Sequence, residues 1–261
     1  MLKRRIIPKL LMRAPRVGDS RRMVLVTTVG FDRTIEVGDP VSQAKIYEAQ
    51  AADELIFLDL DATRESRTAL TDAVHKAAEE IFMPITVGGG VRSTEDFRLL
   101  LSNGADKVSI NSGAVEQPSL ITAAADAFGS QCVVASIDYR VGTAGPVVWT
   151  HGGTVETSLD PLAWAREVES RGAGEILLTC IDRDGSGTGL DVERAAQVTA
   201  AVGIPVIASG GCGLAAHFIE GFKVGGVSAI AAGTFFCLRD QNPMQSRAHI
   251  RNAGIPIRVH T

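Results

Sequence analysis

Short apolar runs, many of them β-branched, alternate with longer stretches of helical period along the whole of this 261-residue chain. The runs at 5–11, 54–60, 84–88, 107–110, 132–138, 175–181, 205–209 and 228–232 predict eight strands. The segments near 40–51, 67–80, 94–102, 117–127, 161–171, 191–201, 214–223 and 243–253 predict the helices between and after them. Helix starts are signalled by Asp39-Pro40, Asp160-Pro161 and Asn242-Pro243, each an N-cap residue followed by proline at the first helical position. Gly254 is placed to cap the last helix. Strictly alternating strands and helices argue for a parallel sheet.

The two halves match each other at an offset of 121 residues. Asp39-Pro40 meets Asp160-Pro161, Glu54 meets Glu175, Asp61 meets Asp182, Pro84 meets Pro205, and Gly89-Gly90 meets Gly210-Gly211. Four βα units repeated once make eight, the closure number of a (β/α)₈ barrel. A doubly wound open sheet does not explain the repeat. No linker or low-complexity tract interrupts it, so residues 1–261 are expected to form one α/β barrel domain of the TIM type.

Composition narrows the function. Hydrophobic residues make up 45% and aromatics only 5%, which fits an aliphatic layered interior. A net charge of −4 leaves no electrostatic footprint for nucleic acid or an anionic membrane. No apolar run approaches a membrane span, and Met1–Arg5 leads into Ile6-Ile7-Pro8 without a signal-peptide h-region, so a cytoplasmic location is expected. Cys132, Cys180, Cys212 and Cys237 lack CxxC spacing, and the five histidines form no HxxH pair. Buried, reduced thiols are expected, with neither metal nor cofactor, and chemistry falls to carboxylates.

Ligands of such barrels sit at the C-terminal strand ends. Those ends carry Asp59 and Asp61, Gly88-Gly89-Gly90, Asn111-Ser112, Asp138, Asp182-Arg183-Asp184-Gly185, Ser209-Gly210-Gly211 and Gly233-Thr234. Glycines admit phosphate close to backbone N–H groups, although tight βα turns also use glycine for steric reasons alone. Two repeat-related glycine pairs favour two phosphate sites on opposite sides of the mouth. At the opposite ends of the strands, Arg5, Glu54, Lys107 and Glu175 could interlock as a ring or stand as ordinary solvated surface charges.

The segments Arg5-Ile6-Ile7-Pro8, Gly38-Asp39-Pro40, Val87-Gly88-Gly89-Gly90, Ala105-Asp106-Lys107-Val108-Ser109-Ile110-Asn111, Thr150-His151-Gly152-Gly153, Ile181-Asp182-Arg183-Asp184-Gly185 and Ala208-Ser209-Gly210-Gly211 together resemble the cyclase subunit of imidazole glycerol phosphate synthase, HisF, from about residue 4 to 258. The resemblance implies a barrel that docks a HisH-type glutaminase on its floor as a heterodimer and passes ammonia through its core. It assigns Arg5, Glu54, Lys107 and Glu175 to an ammonia gate. It assigns Gly90, Asn111, Ser112, Asp184, Gly185, Gly211, Ala232 and Gly233 to binding of a phosphorylated small molecule, with Asp59, Thr179 and Ser209 as further substrate-facing positions.

The resemblance implies two aspartates as general acid and base in a lyase-class reaction. Asp138 matches the second, but Leu11 stands at the first, and leucine transfers no proton. The family's lysine in the loop after strand 1 falls on Thr27, within a long stretch, 12–38, of the kind that usually carries function. These departures resemble paralogues of acetamidino-sugar biosynthesis for surface polysaccharides, which implies an amidine-forming enzyme as a further partner. Thr27 departs from that branch as well. Three functions follow: an ammonia-conducting barrel for amidine formation, a cyclase working with Asp138 alone, or a non-catalytic scaffold that binds a phosphorylated ligand.

Overall fold

A computed structural model describes residues 3–17, 20–69, 71–143, 145–239 and 241–258. Eight parallel strands form its centre: β1 Arg5–Arg13, β2 Leu55–Asp59, β3 Ile85–Gly88, β4 Lys107–Ile110, β5 Val133–Gly142, β6 Glu175–Cys180, β7 Val206–Ser209 and β8 Ala229–Ala232. Each pairs with the next, and Arg5↔Ala229 through Pro8↔Ala232 joins β1 to β8, so the sheet closes. The expected (β/α)₈ barrel is present.

Side-chain alternation along each strand divides the apolar residues into two layers. Ile6, Leu10 and Met12 of β1 pack outward into the large core shared with the helices. Ile7, Ile56, Val134, Leu177, Ile207, Ala229 and Ala231 pack inward around the barrel axis. Two residues farther along β1 from Ile7, Lys9 shares that inward face and is 3% exposed.

The main helices are α1 Pro40–Ala49, α2 Thr71–Glu80, α3 Thr94–Ser102, α4 Ser119–Phe128, α5 Pro161–Ser170, α6 Val192–Ala201, α7 Ala215–Lys223 and α8 Pro243–Asn252. The three expected N-caps are in place. Asp39 accepts from the Ser42 amide, Asp160 from Leu162 and Ala163, and Asn242 forms a capping box with Gln245. Gly254 follows the C-cap Ala253 with φ 78°, a left-handed conformation that favours glycine.

Three expectations need correction. The helix expected from 67 starts at Thr71, because Arg67 and the residues before it form a turn held by aspartates. Two short helices, Ser112–Glu116 and Thr234–Leu238, follow β4 and β8 directly, and they offset these units by 122 rather than 121 residues. The stretch 12–38 is largely sheet. β1 continues to Arg13, and Val24–Val29 pairs antiparallel with both β1 and Arg33–Gly38. A second hairpin pairs Gly145–Thr150 with the extension of β5.

Candidate functional site at the two ends of the barrel

The barrel floor carries four charged residues from β1, β4, β6 and the position just before β2. Arg5 Nη1 meets Glu54 Oε1 at 2.7 Å, and Lys107 Nζ meets Glu54 Oε2 at 2.9 Å. Lys107 Nζ also meets Glu175 Oε2 at 2.9 Å, and Arg5 Nη2 pairs with Glu175 Oε1. The cycle is closed, with each carboxylate giving one oxygen to each cation. Burial opposes the charge on Arg5, but Glu175 and Glu54 outweigh it and hold the guanidinium above its ordinary range. Burial likewise opposes the Glu54 carboxylate, which Arg5 and Lys107 nevertheless pull below its usual value. The choice left open between a ring and separate surface pairs falls to the ring.

Above the ring the axis is lined by the small apolar layer of Ile7, Ile56, Val134, Leu177, Ile207, Ala229 and Ala231. The inward faces of β3 and β4 add the buried hydroxyls of Thr86 and Ser109 to this layer, and charged side chains return at the mouth. A bare cation in such an interior would have to shed its hydration.

At the mouth, Asp138 stands partly buried on the axis side of β5. Its Oδ2 accepts from Asn111 Nδ2 at 3.1 Å, and its Oδ1 accepts from Ser136 Oγ at 3.4 Å. Burial raises its carboxyl to about 6, against the pull of Lys9, Thr179 and Ser136 and with a push from Asp184. A carboxyl poised there can both take and give a proton near neutral pH. Asp184 stands nearby: Lys9 Nζ is 3.8 Å from its Oδ1, and Thr28 donates to its Oδ2.

The hairpin after β1 closes over this side. Gly30 N–H donates to the Asp184 carbonyl at 3.0 Å, and the Gly185 position leaves no room for a Cβ, which would lie 2.2 Å from the Thr28 carbonyl. Thr27 sits on the buried strand of the same hairpin at 2% exposure. Leu11, where the resemblance expects an acid, packs with Val24 and Val26 of the hairpin and against Leu58 and Leu60.

Around β2 to β4 the expected ligand groups are engaged by neighbouring residues of the chain. Asp59 accepts from Arg67 Nη1 at 2.6 Å and from the Asp61 and Ala62 amides, and so orders the following turn. Gly90 N–H donates to Thr63 Oγ1 at 3.3 Å. Asn111 Nδ2 reaches the Ser136 carbonyl as well as Asp138, and Ser112 Oγ accepts from His151 N–H at 2.9 Å. Around β7 and β8 the picture differs. Ser209, Gly211 and Gly233 line a recess with Lys9, Asp184 and Gly185, and Ala232 is buried just behind it. Ser209 Oγ has no hydrogen-bond partner among the described residues.

The structure brings Asp138, Asp184, Gly185, Thr179, Ser209, Gly211 and Gly233 together with Lys9, which sequence reading did not single out. The signal was available, since Ile7, Lys9 and Leu11 share one face by period-2 alternation. Among the described residues no cluster could hold a metal ion. All four cysteines are free: Cys180 and Cys212 are buried, Cys132 and Cys237 only partly so. Burial pushes the Cys212 thiol up to about 12.

These features define a class: a (β/α)₈ barrel with a closed charge ring at one end and a carboxylate-bearing recess at the other. Residues 5–240 match the family model described as "Histidine biosynthesis protein". The chain is 52% identical over 260 residues to "Putative imidazole glycerol phosphate synthase subunit hisF2" of Prochlorococcus marinus (strain MIT 9313), covering 99% of each. It is 47% identical over 261 residues to "Imidazole glycerol phosphate synthase subunit HisF" of Caulobacter vibrioides (strain NA1000 / CB15N), covering 99% of this chain and 97% of the relative. The chain belongs to the HisF family. Among the described residues, no helix is long and apolar enough to cross a membrane.

Proposed function

We propose that this chain is the barrel subunit of a glutamine amidotransferase complex, taking ammonia from a HisH-type glutaminase at its floor and delivering it to a phosphorylated acceptor at its mouth. The observation that carries the reading is the closed cycle of Arg5, Glu54, Lys107 and Glu175 beneath a largely apolar axis. The closed ring seals the floor against hydrated ammonium, which would have to shed its water beyond it, yet can part briefly for neutral ammonia. A surface serving only solubility has no need of such a cycle.

At the mouth, Asp138 is the proton-transfer group, and Leu11 removes its expected partner. The imidazole-forming cyclisation needs an acid and a base, so the delivered ammonia serves a different acceptor, an amidine formed on a sugar. The names of the relatives favour a second reading, cyclisation by Asp138 alone, and the apolar packing of Leu11 speaks against it. The protein works in the cytoplasm, as one domain, and without a cofactor.

The test is purification of the tagged chain from its native host. A glutaminase should accompany it in equal amount, and glutamine hydrolysis should rise on complex formation. A chain that purifies alone, with no glutaminase bound when one is added back, overturns the reading.

A further inference from the structure

Lys9 is an alkylammonium on the inward face of β1, 3% exposed, just above the layer of Ile7 and its neighbours. Around the closed sheet, β5 stands opposite β1, four strands away in either direction. Lys9 Nζ nevertheless lies 3.8 Å from Oδ1 of Asp184, beyond the end of β6. Its charge also pulls on the Asp138 carboxyl of β5. The side chain therefore crosses the lumen at the top of the axis. Its pair with Asp184 is looser than the 2.7–2.9 Å of a charge-assisted hydrogen bond, and Thr28 engages the other oxygen of that carboxylate.

Two carboxyls, Asp138 and Asp184, meet where the axis opens, and among the described residues lining the recess beside them Lys9 is the sole cation. Without Lys9 the field of two carboxylates would make this outlet a trap for small cations. Ammonia leaving the largely apolar layer there would take up a proton and stay, because neighbouring negative charge favours the charged form. As ammonium it has no lone pair with which to attack an acceptor. The Lys9 head group has the same charge and the same N–H donors as ammonium, and the chain holds it in place.

We infer that Lys9 is a built-in ammonium that occupies the cation position of the outlet, so that ammonia delivered along the axis stays neutral and nucleophilic. This rests on the ammonia-delivery reading above and names the residue that keeps the delivered molecule reactive. Lys9 acts by its charge on the protonation of ammonia, and it leaves proton transfer to Asp138.

The experiment is an NMR titration of the full chain with ammonium chloride at pH 8, with tetramethylammonium chloride, a cation too bulky for the outlet, holding the ionic strength constant. The reporter is the side-chain amide of Asn111, which donates to Asp138 Oδ2 at 3.1 Å. In the wild type and in Lys9→Arg this amide should not move. In Lys9→Met and Lys9→Gln it should shift saturably, with an affinity for ammonium at least roughly tenfold above any in the wild type. Lys9→Gln keeps a polar head group and decides the matter if Lys9→Met does not fold. A saturable shift in the wild type overturns the inference, as does an unmoved amide in a variant that keeps the wild-type backbone spectrum. No glutaminase is present in this titration, so either result leaves the delivery reading standing, and that reading falls separately if no glutaminase binds the chain.

Discussion

At the ends of β3 and β4, the Gly90 amide donates to Thr63, Asn111 bonds Asp138, and Ser112 takes the His151 amide. At the repeat-related ends of β7 and β8, Ser209 keeps a buried hydroxyl without a described partner, and Lys9 reaches over from β1. The first corner is a knot of internal hydrogen bonds, while the second is a recess with a charge and a donor to spare. The repeat supplied two similar corners, and side chains tie one up in internal hydrogen bonds and leave the other open. The same asymmetry separates the ends of β1 and β5, where one carries Leu11 in an apolar cluster and the other Asp138.

The largest effect expected from that asymmetry is on catalysis. With ammonium as nitrogen source, the imidazole-forming cyclisation should run about 10²–10⁴-fold slower than with a relative that carries both aspartates, since loss of one proton-transfer group commonly costs that much. Side-by-side initial rates check it, and a rate within tenfold of the Caulobacter vibrioides relative contradicts the role given to Leu11.

Next comes the floor. Arg5→Ala strands Glu54 and Glu175 against Lys107 alone and should cost about 3 kcal/mol in urea unfolding at pH 7. Glu54 titrates below its ordinary 4.5 in the folded chain, so its contribution is present above that pH and is lost as pH falls through the folded value. The difference between wild type and Arg5→Ala should therefore shrink in acid. A constant difference down to pH 3 contradicts the coupling.

Asp138 has the opposite sign. Its carboxyl rises from 3.8 to about 6 on folding, so the folded state holds a proton that the unfolded state has released, and stability falls as pH climbs through that window. Asp138→Asn should raise stability by about 1–3 kcal/mol at pH 8 and by little at pH 4 while abolishing activity. Equal stabilisation at both pH values contradicts the burial argument. The smallest effect sharpens the comparison of corners: Thr63→Val frees the Gly90 amide and should cost about 0.5–1 kcal/mol. Amide chemical shifts at Gly90 would then respond to added phosphate, and no response in either protein means that Thr63 is not what closes that corner.

Much of this was legible in the chain. The eight barrel strands lie within a few residues of the apolar runs, because a period-2 run flanked by helix caps has few other fates. The ring residues could be named because each begins a barrel strand or directly precedes one. The hairpin Val24–Val29 was legible in principle as Val-Leu-Val-Thr-Thr-Val before Gly30, but a chain with its eight strands already assigned invites a loop reading. The knot at β3–β4 was not legible, because the bonds from Thr63 to Gly90 and from Asn111 to Asp138 join residues 27 apart whose meeting depends on barrel closure. Lys9 was passed over because a lysine in a strand usually faces solvent, and only the register places it at the axis.

The central claim is that ammonia enters through the ring on the floor. Its most direct test is ¹⁵N transfer into organic product by the reconstituted glutaminase–barrel complex and its acceptor enzyme, from [amide-¹⁵N]glutamine or from [¹⁵N]ammonium. With Lys107→Ala in a folded chain, transfer from glutamine should fall about tenfold or more, while transfer from ammonium stays near the wild-type level. Equal loss from both nitrogen sources would contradict the account.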